Sequence, residues 1–452
     1  MMKRTGVFLS LAAILAACLL ASCIKIDNSL GSSLVSTSQD ITIQTATLDL
    51  PLQSMRTSGD LQSRMNGGIT VGSIGTDFSS EGLVSVSAST DSIVWGKNPT
   101  VRRVYLSMVC DTCLVMEDGQ RYIPQNIHVH RLNFELDSTY YSSADERFKT
   151  RYYDAEPISV SGGVFTGGEA WSVELKKEIG EELLRFPMAT LDSAQLFMKQ
   201  FYGFCLRSDD PDDERTSPKG EGRLNIFNLS TSYLILNWDY TDDEGNRKNA
   251  STYFGLGSYH AVNLYRTLKP TSGTRDEIVV QGLSGSKPHI SGKQLRQTVD
   301  AWAAQAGIPT DNLVIAKATL EFPFEYSGDR SQFDNYAANL YPCQRSLNSR
   351  GIPIYAPISE IDDTALEDGT IDRSLLYYKS NISIYLQELI RMQPDEIDDE
   401  DDLWIMPTSS YYNSNTGVTY HYADNYYYTE THLNGMRAAR HPVLRLTYSV
   451  LK

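Results

Sequence analysis

The stretch Arg103-Val104-Tyr105-Leu106-Ser107-Met108 decides the fold class, because Val104, Leu106 and Met108 alternate with Arg103, Tyr105 and Ser107. Successive side chains of a strand point to opposite faces, so a period of two describes a strand with one face buried and one wet. The whole run 101–109 fits that reading. Similar short runs recur at 41–48, 69–74, 83–87 and 127–136, and again at 224–229, 233–240, 253–257, 261–265, 316–324 and 443–449. Asp242-Asp243-Glu244-Gly245-Asn246, between two of them, has the composition of a hairpin loop.

Helical spacing is confined to a few places. In 176–186, Ile179, Leu183 and Leu184 share a face and Pro187 ends the pattern; in 192–201, Leu196, Phe197 and Phe201 are expected to point inward. Residues 293–306 place Leu295, Val299, Trp302 and Ala306 on one face before Gly307 and Pro309, and 380–392 turns from an extended start into a helix through Leu386, Leu389 and Ile390. The expected fold is mainly β (α+β): two β-sandwich or jelly-roll-like units with a few short peripheral helices. The acidic loop 209–222, with Asp209-Asp210-Pro211-Asp212-Asp213-Glu214, is the expected linker. It would separate a first unit at 45–208 from a second at 223–452 that carries helices near 293–306 and 385–392. The shared order of strand then helix, 101–109 with 176–186 and 313–324 with the helix near Gln387, points to a duplication.

Ahead of these units lies a basic start (Lys3, Arg4), an apolar run from Val7 and then Leu20-Ala21-Ser22-Cys23. This is the layout of a lipoprotein signal peptide at 1–22, too short and too soon followed by polar residues for a spanning helix. Leu15-Ala16-Ala17-Cys18 competes, but Leu19, Leu20 and Ala21 continue the apolar run past Cys18, whereas Lys25, Asp27 and Asn28 follow Cys23. Cys23 is therefore the expected lipidation site, and the Ser- and Gly-rich 23–44 a flexible tether. Acyl chains would hold the protein on a membrane, each buried methylene contributing about 0.8 kcal/mol.

Removing 1–22 leaves 38 basic residues against 56 acidic ones and moves the net charge from −16 to −18. Nucleic acid is excluded as an expected partner, since phosphate binding requires a basic face. Beyond Cys18 and Cys23 only Cys110, Cys113, Cys205 and Cys343 remain, too few and too scattered for a disulfide scaffold.

Cys110-Asp111-Thr112-Cys113 follows a strand, which favours a turn with structural thiols or a local disulfide over a thioredoxin-type site at a helix start. His128 and His130 lie on one face of a nearby strand and would complete four zinc ligands, although H-x-H departs from the usual finger spacing. Asp395-Glu396-Ile397-Asp398-Asp399-Glu400-Asp401-Asp402 raises calcium as an alternative, but the run has no glycine turn and reads as a solvated, mobile loop. No cofactor is expected. Tyr411, Tyr412, Tyr420, Tyr422, Tyr426, Tyr427 and Tyr428 concentrate aromatic side chains near the C-terminus, and Tyr420, Tyr422, Tyr426, Tyr427 and Tyr428 are candidate ligand-binding aromatics. His260, His289, His421, His432 and His441 stand beside no recognisable catalytic arrangement, and G-x-S-x-G, H-E-x-x-H, Walker and dinucleotide signatures are missing from the sequence.

Several segments together resemble a lipoprotein family of Bacteroidota termed domain of unknown function 4270. They are 23–34, Phe201-Tyr202-Gly203-Phe204 with Gly222-Arg223-Leu224-Asn225-Ile226, Gln281-Gly282-Leu283-Ser284-Gly285, Ala316-Lys317-Ala318-Thr319-Leu320, Asn381-Ile382-Ser383-Ile384-Tyr385-Leu386-Gln387 and Leu444-Arg445-Leu446-Thr447-Tyr448. The resemblance implies an outer-membrane lipoprotein and carries over no catalytic residue. Asp91-Ser92-Ile93, Asp137-Ser138-Thr139, Asp192-Ser193-Ala194 and Asp363-Thr364-Ala365 look like the O-glycosylation acceptors of exported proteins in that phylum. Ile24 and Lys25 stand where its surface-export signal prefers acids, so the periplasmic and cell-surface leaflets both stay open. The expected function is a non-catalytic, protein-binding or assembly subunit of an envelope complex. The alternatives are a surface glycan-binding lipoprotein and a hydrolase using an unrecognised carboxylate pair.

Overall fold

The computed structural model describes residues 43–57, 68–74, 78–88, 93–115, 122–136, 148, 150–160, 163–208, 222–267, 273–349, 351, 353–360, 367–424 and 427–451. The leader, Cys18, Cys23, the tether up to 42, residues 209–221, Tyr426 and all or part of three glycosylation-like triplets lie outside them.

The chain is mainly β, with several antiparallel sheets and few helices. Its described part opens with β1 (Gln44–Asp49) and β2 (Leu52–Arg56), which belong with the C-terminal half. Next come β3 (Gly68–Ile74), β4 (Phe78–Ala88), β5 (Lys97–Val115), β6 (Gln125–Arg131), β7 (Gly163–Phe165) and β8 (Ala170–Glu174). Helices α1 (Lys177–Arg185), α2 (Met188–Leu191) and α3 (Ala194–Gln200) precede β9 (Phe204–Ser208), β10 (Arg223–Thr241) and β11 (Arg247–Thr267). These strands form one nine-stranded sheet, ordered β7-β6-β9-β4-β11-β10-β5-β8, with β3 paired to both β10 and β4.

The runs 224–229 and 233–240 are one strand, as are 253–257 and 261–265. Register shifts between Asn228 and Tyr233 and between Leu256 and Ala261 mark where these long strands are interrupted without ending. Bulges of this kind bend a strand and let the sheet curl around its own core. That core holds Val104, Leu106 and Met108 as the alternation requires, together with Phe197, Phe201, Phe204, Phe227 and Phe254. Helix α1 lies against β5 because Gly180 lacks a side chain: a Cβ there would stand 2.9 Å from both Val101 and Leu236. Leu196 departs from the expected inward face and is 46% exposed, since α3 buries only Phe197 and Met198.

The second unit contains β12 (Glu277–Gln281), β13 (Ser286–Ile290), α4 (Gly292–Gln305), β14 (Leu313–Pro323), β15 (Leu340–Leu347), β16 (Pro353–Pro357), β17 (Asp368–Asp372) and β18 (Tyr377–Asn381). It ends with α5 (Ser383–Leu389), β19 (Leu403–Asn413), β20 (Val418–Ala423), β21 (Glu430–Asn434) and β22 (Val443–Val450). Sheets β1-β22-β14-β18-β17 and β16-β15-β19-β13-β2 contribute to one core, which also receives Leu295 and Val299 of α4 and Leu386 and Leu389 of α5. A helix packed on a strand thus recurs in both halves, α1 on β5 and α5 on β14, but the strand orders differ.

The expected unit boundary at 209–222 is corrected by the pairing. Arg223–Asn228 of β10 is hydrogen-bonded to β3 on one side and β5 on the other, so the chain on both sides of the acidic loop belongs to one sheet. Loop polarity reports exposure and not which sheet the flanking strands join. The sheets divide after β11, and β1 and β2 pair with β22 and β13. The seam between the units is apolar: Ile74, Phe78, Leu224 and Tyr265 meet Leu283 and Tyr428, with the Phe78 and Tyr428 rings 4.9 Å apart.

Candidate functional site

The aromatic cluster resolves into a rooted hairpin. The first half of β19, Leu403–Thr408, is buried, whereas its second half, among the described residues, pairs only with β20. Tyr411 lies directly opposite Tyr420, and Ser409 opposite Tyr422. Residues two apart share a face, so Tyr411, Tyr420 and Tyr422 form one ladder, 61%, 50% and 44% exposed, with Val418 at its tip. At the hairpin base Asp424 Oδ2 accepts from Ser409 Oγ at 2.8 Å, and Asp424 Oδ1 from the Tyr427 N–H at 3.2 Å. This arrangement presents broad apolar rings with hydroxyl rims on a fixed support, a surface suited to contact and not to bond-making.

Two of the expected aromatics behave differently. Tyr427 is exposed at the foot of the hairpin, but Tyr428 is buried in the seam against Phe78, its hydroxyl donating to Glu430 Oε2 at 2.6 Å. Tyr428 is therefore corrected from a ligand-binding to a packing residue. Both tyrosines lie in the connection that precedes β21, where the turn at Asp424 holds Tyr427 outward while Tyr428 packs on Phe78.

The four expected metal ligands are not brought together. Cys110 and Cys113 belong with the sheet's inner core, as do Ile127 and Val129 of β6. His128 and His130 alternate with those two residues and so project from the other face, where His130 Nδ1 lies 2.8 Å from the Asp154 carbonyl and its ring stands 4.7 Å from Tyr153. Burial lowers the His130 pKa below its ordinary value. Among the described residues no group of three or more His, Cys, Asp and Glu side chains is placed to hold a metal.

The acidic run 395–402 is also not a loose loop. Asp398 caps a short 3-10 turn at Asp399–Asp401, and Asp402 is 8% exposed and turned inward. Its Oδ2 lies 2.8 Å from His289 Nε2 and its Oδ1 accepts from the Gly292 N–H.

A polar cleft of about 520 Å³ opens beside β12 and β21, lined by Glu277, Glu325, Tyr336, Glu430 and His432 among others. His432 Nδ1 lies 2.9 Å from Glu277 and its Nε2 3.3 Å from Glu430. The hydrogen bond to Glu430 raises the His432 pKa against burial. Burial works to raise the Glu430 carboxyl, but hydrogen bonds from His432, Tyr428 and Gln281 outweigh it and hold the group at about 2. Glu430 thus carries no proton near neutrality and cannot be the acid of a carboxylate pair. The cleft holds a fixed ion pair that ties β12 to β21.

Sequence reasoning passed over His289, His432 and His441 because their partners are remote: Asp402, Glu277 and Asp49 respectively. No local pattern signals such pairs; only the register of β12 with β21, which sets Glu277 opposite Asn434 and Val279 opposite His432, would have placed the second. Comparison with protein-family models, curated proteins and solved structures finds no match for this chain.

Proposed function

We propose that this protein is a lipid-anchored outer-membrane lipoprotein, held by acylated Cys23, that acts as a non-catalytic protein-binding subunit of an envelope complex. The observation that carries the binding half of this reading is the tyrosine ladder Tyr411, Tyr420 and Tyr422, exposed on a hairpin whose root is buried in the second unit. Tyrosine supplies large contact area with little side-chain entropy to lose, and exposed clusters of it mark interaction sites. The anchor half rests on Leu20-Ala21-Ser22-Cys23 and on the polar residues that follow it. The resemblance to the Bacteroidota lipoprotein family supports the anchor half.

A photo-crosslinking amino acid at position 420, in cells, tests the contact. The reading expects a discrete protein adduct that disappears when Tyr411 and Tyr422 are changed to Ser. A polysaccharide adduct would transfer the ladder to glycan binding, and labelling of position 420 by solvent alone would end the binding reading. For the anchor, Cys23→Ala is expected to leave the membrane fraction or to accumulate unprocessed. A fully processed, membrane-bound variant would refute it.

A further inference from the structure

Cys110 and Cys113 are three residues apart on β5, and in a regular strand such side chains face opposite sides of the sheet. Here they face the same side. Cys110 is the register partner of Phe227 and Thr112 of Ile226, so Asp111 is an extra residue outside the register of β10, its carboxylate accepting from Asn228 Nδ2 at 3.3 Å. The bulge reverses the phase of the strand and brings the two sulfurs to 3.6 Å. Cys110 Sγ also donates to the Thr112 carbonyl at 3.3 Å, and Cys113 Sγ lies 3.6 Å from Asn225 Oδ1. The buried guanidinium of Arg223, fixed by Asn225 Oδ1 and the carbonyls of Ile123 and Phe165, acts electrostatically on both thiols.

We propose that Cys110 and Cys113 are a redox-active pair that closes to an intrastrand disulfide across the β5 bulge. The co-reactant is a small-molecule or protein disulfide. Cys113, the more exposed of the two, attacks one sulfur of that disulfide as a thiolate; the S–S bond of the oxidant breaks and a mixed disulfide forms. The Cys110 thiolate then attacks the Cys113 sulfur and expels the second half of the oxidant. Two protons leave the cysteines and end on the two thiols released, while two electrons pass to the oxidant. Closure brings the sulfurs from 3.6 Å to the roughly 2.05 Å of a disulfide.

The position gives the pair a structural consequence. Leu114, next in β5, packs into the seam with Leu283 and Tyr428, and Asp111 is close enough to Tyr427 to act on its hydroxyl. Closing the bridge stiffens the segment of β5 that meets the second unit. Cys205 and Cys343 are buried elsewhere, in β9 and β15, and serve as internal controls. The bond to Cys113, and burial after it, push the Cys110 thiol up, so closure accelerates with rising pH.

The test uses the full chain, reduced in detergent, freed of reductant, exposed to oxidised glutathione at about pH 8, acid-quenched and alkylated after unfolding. The proposal expects a monomer lighter by two hydrogens, the loss mapping to the peptide that carries both Cys110 and Cys113, while Cys205 and Cys343 become alkylated. Cys110→Ser is expected to retain glutathione on Cys113. Alkylation of both Cys110 and Cys113 in the treated wild-type chain, or glutathione left stably on Cys113 there, would overturn the proposal. Because the mass is read on the wild-type chain, a Cys110→Ser variant that fails to fold does not blunt the test.

Discussion

Asp402 Oδ2 lies 2.8 Å from Nε2 of His289, both side chains being buried. The other oxygen of Asp402 accepts from the N–H of Gly292, the first residue of α4. Ser291, the N-cap residue by sequence, makes no side-chain bond there, so a carboxylate from a remote segment caps the helix and places negative charge at its positive end. Asp402→Ala removes the cap and strips a buried imidazole of its partner. A loss of roughly 2 to 4 kcal/mol is expected in urea unfolding, with Asp402→Asn costing less. A wild-type midpoint for Asp402→Ala would contradict the capping role.

Lys287 is fully buried, its Nζ donating to the carbonyls of Leu283 at 2.7 Å and Gly285 at 3.0 Å. Burial lowers its pKa from 10.5 to about 7. Between those values the unfolded chain binds a proton that the folded chain has released, so stability rises with pH across that window. Unfolding followed from about pH 7 to pH 9 is expected to show this rise in the wild type and a flatter profile in Lys287→Met. Equal slopes in the two proteins would show that Lys287 stays charged in the fold.

The Glu430–His432 pair sets a second pH window. Glu430 is depressed, so its contribution is present above the ordinary carboxylate value of 4.5 and is lost as pH falls toward about 2. His432 is raised, so its contribution is complete below 6.5 and is lost as pH rises through its folded value. The melting temperature is therefore expected to lose, in His432→Gln, the part of its maximum that falls between 4.5 and 6.5. Glu277 on the same imidazole, Tyr336 stacked beside it and Tyr428, whose hydroxyl donates to Glu430, are further titratable groups facing this pair. An unchanged profile would reduce the cleft to solvated surface.

Tyr428 and Tyr420 should separate packing from recognition. Tyr428→Ala opens a cavity against Phe78 and is expected to cost about 3 to 5 kcal/mol. Tyr420→Ala, on the exposed ladder, is expected to stay within about 0.5 kcal/mol of wild type while weakening the partner contact. Comparable losses at both sites would mean that the hairpin packs against part of the protein itself.

Local patterns were legible where one residue's surroundings decide its state. The alternation in 103–108 put Val104, Leu106 and Met108 in the core, and the spacing in 293–306 put Leu295 and Val299 there. The same reading split β10 and β11 in two, because a bulge looks like an interruption when its partner strand is out of view. It also grouped Cys110 and Cys113 with His128 and His130, which are near in sequence but on opposite faces of one sheet.

By itself, the sequence determined the β class, the short helices, the lipidation signal as an expectation and the charge that argues against nucleic acid. Those follow from periodicity and composition, which act over a few residues. Only the tertiary structure decided the unit boundary after β11, the burial of Tyr428 beside an exposed Tyr427, the Asp402–His289 cap and the closeness of two sulfurs across a bulge. Each depends on strand register between distant segments, and register is set by the summed burial of whole strands, a quantity that no single stretch of sequence contains.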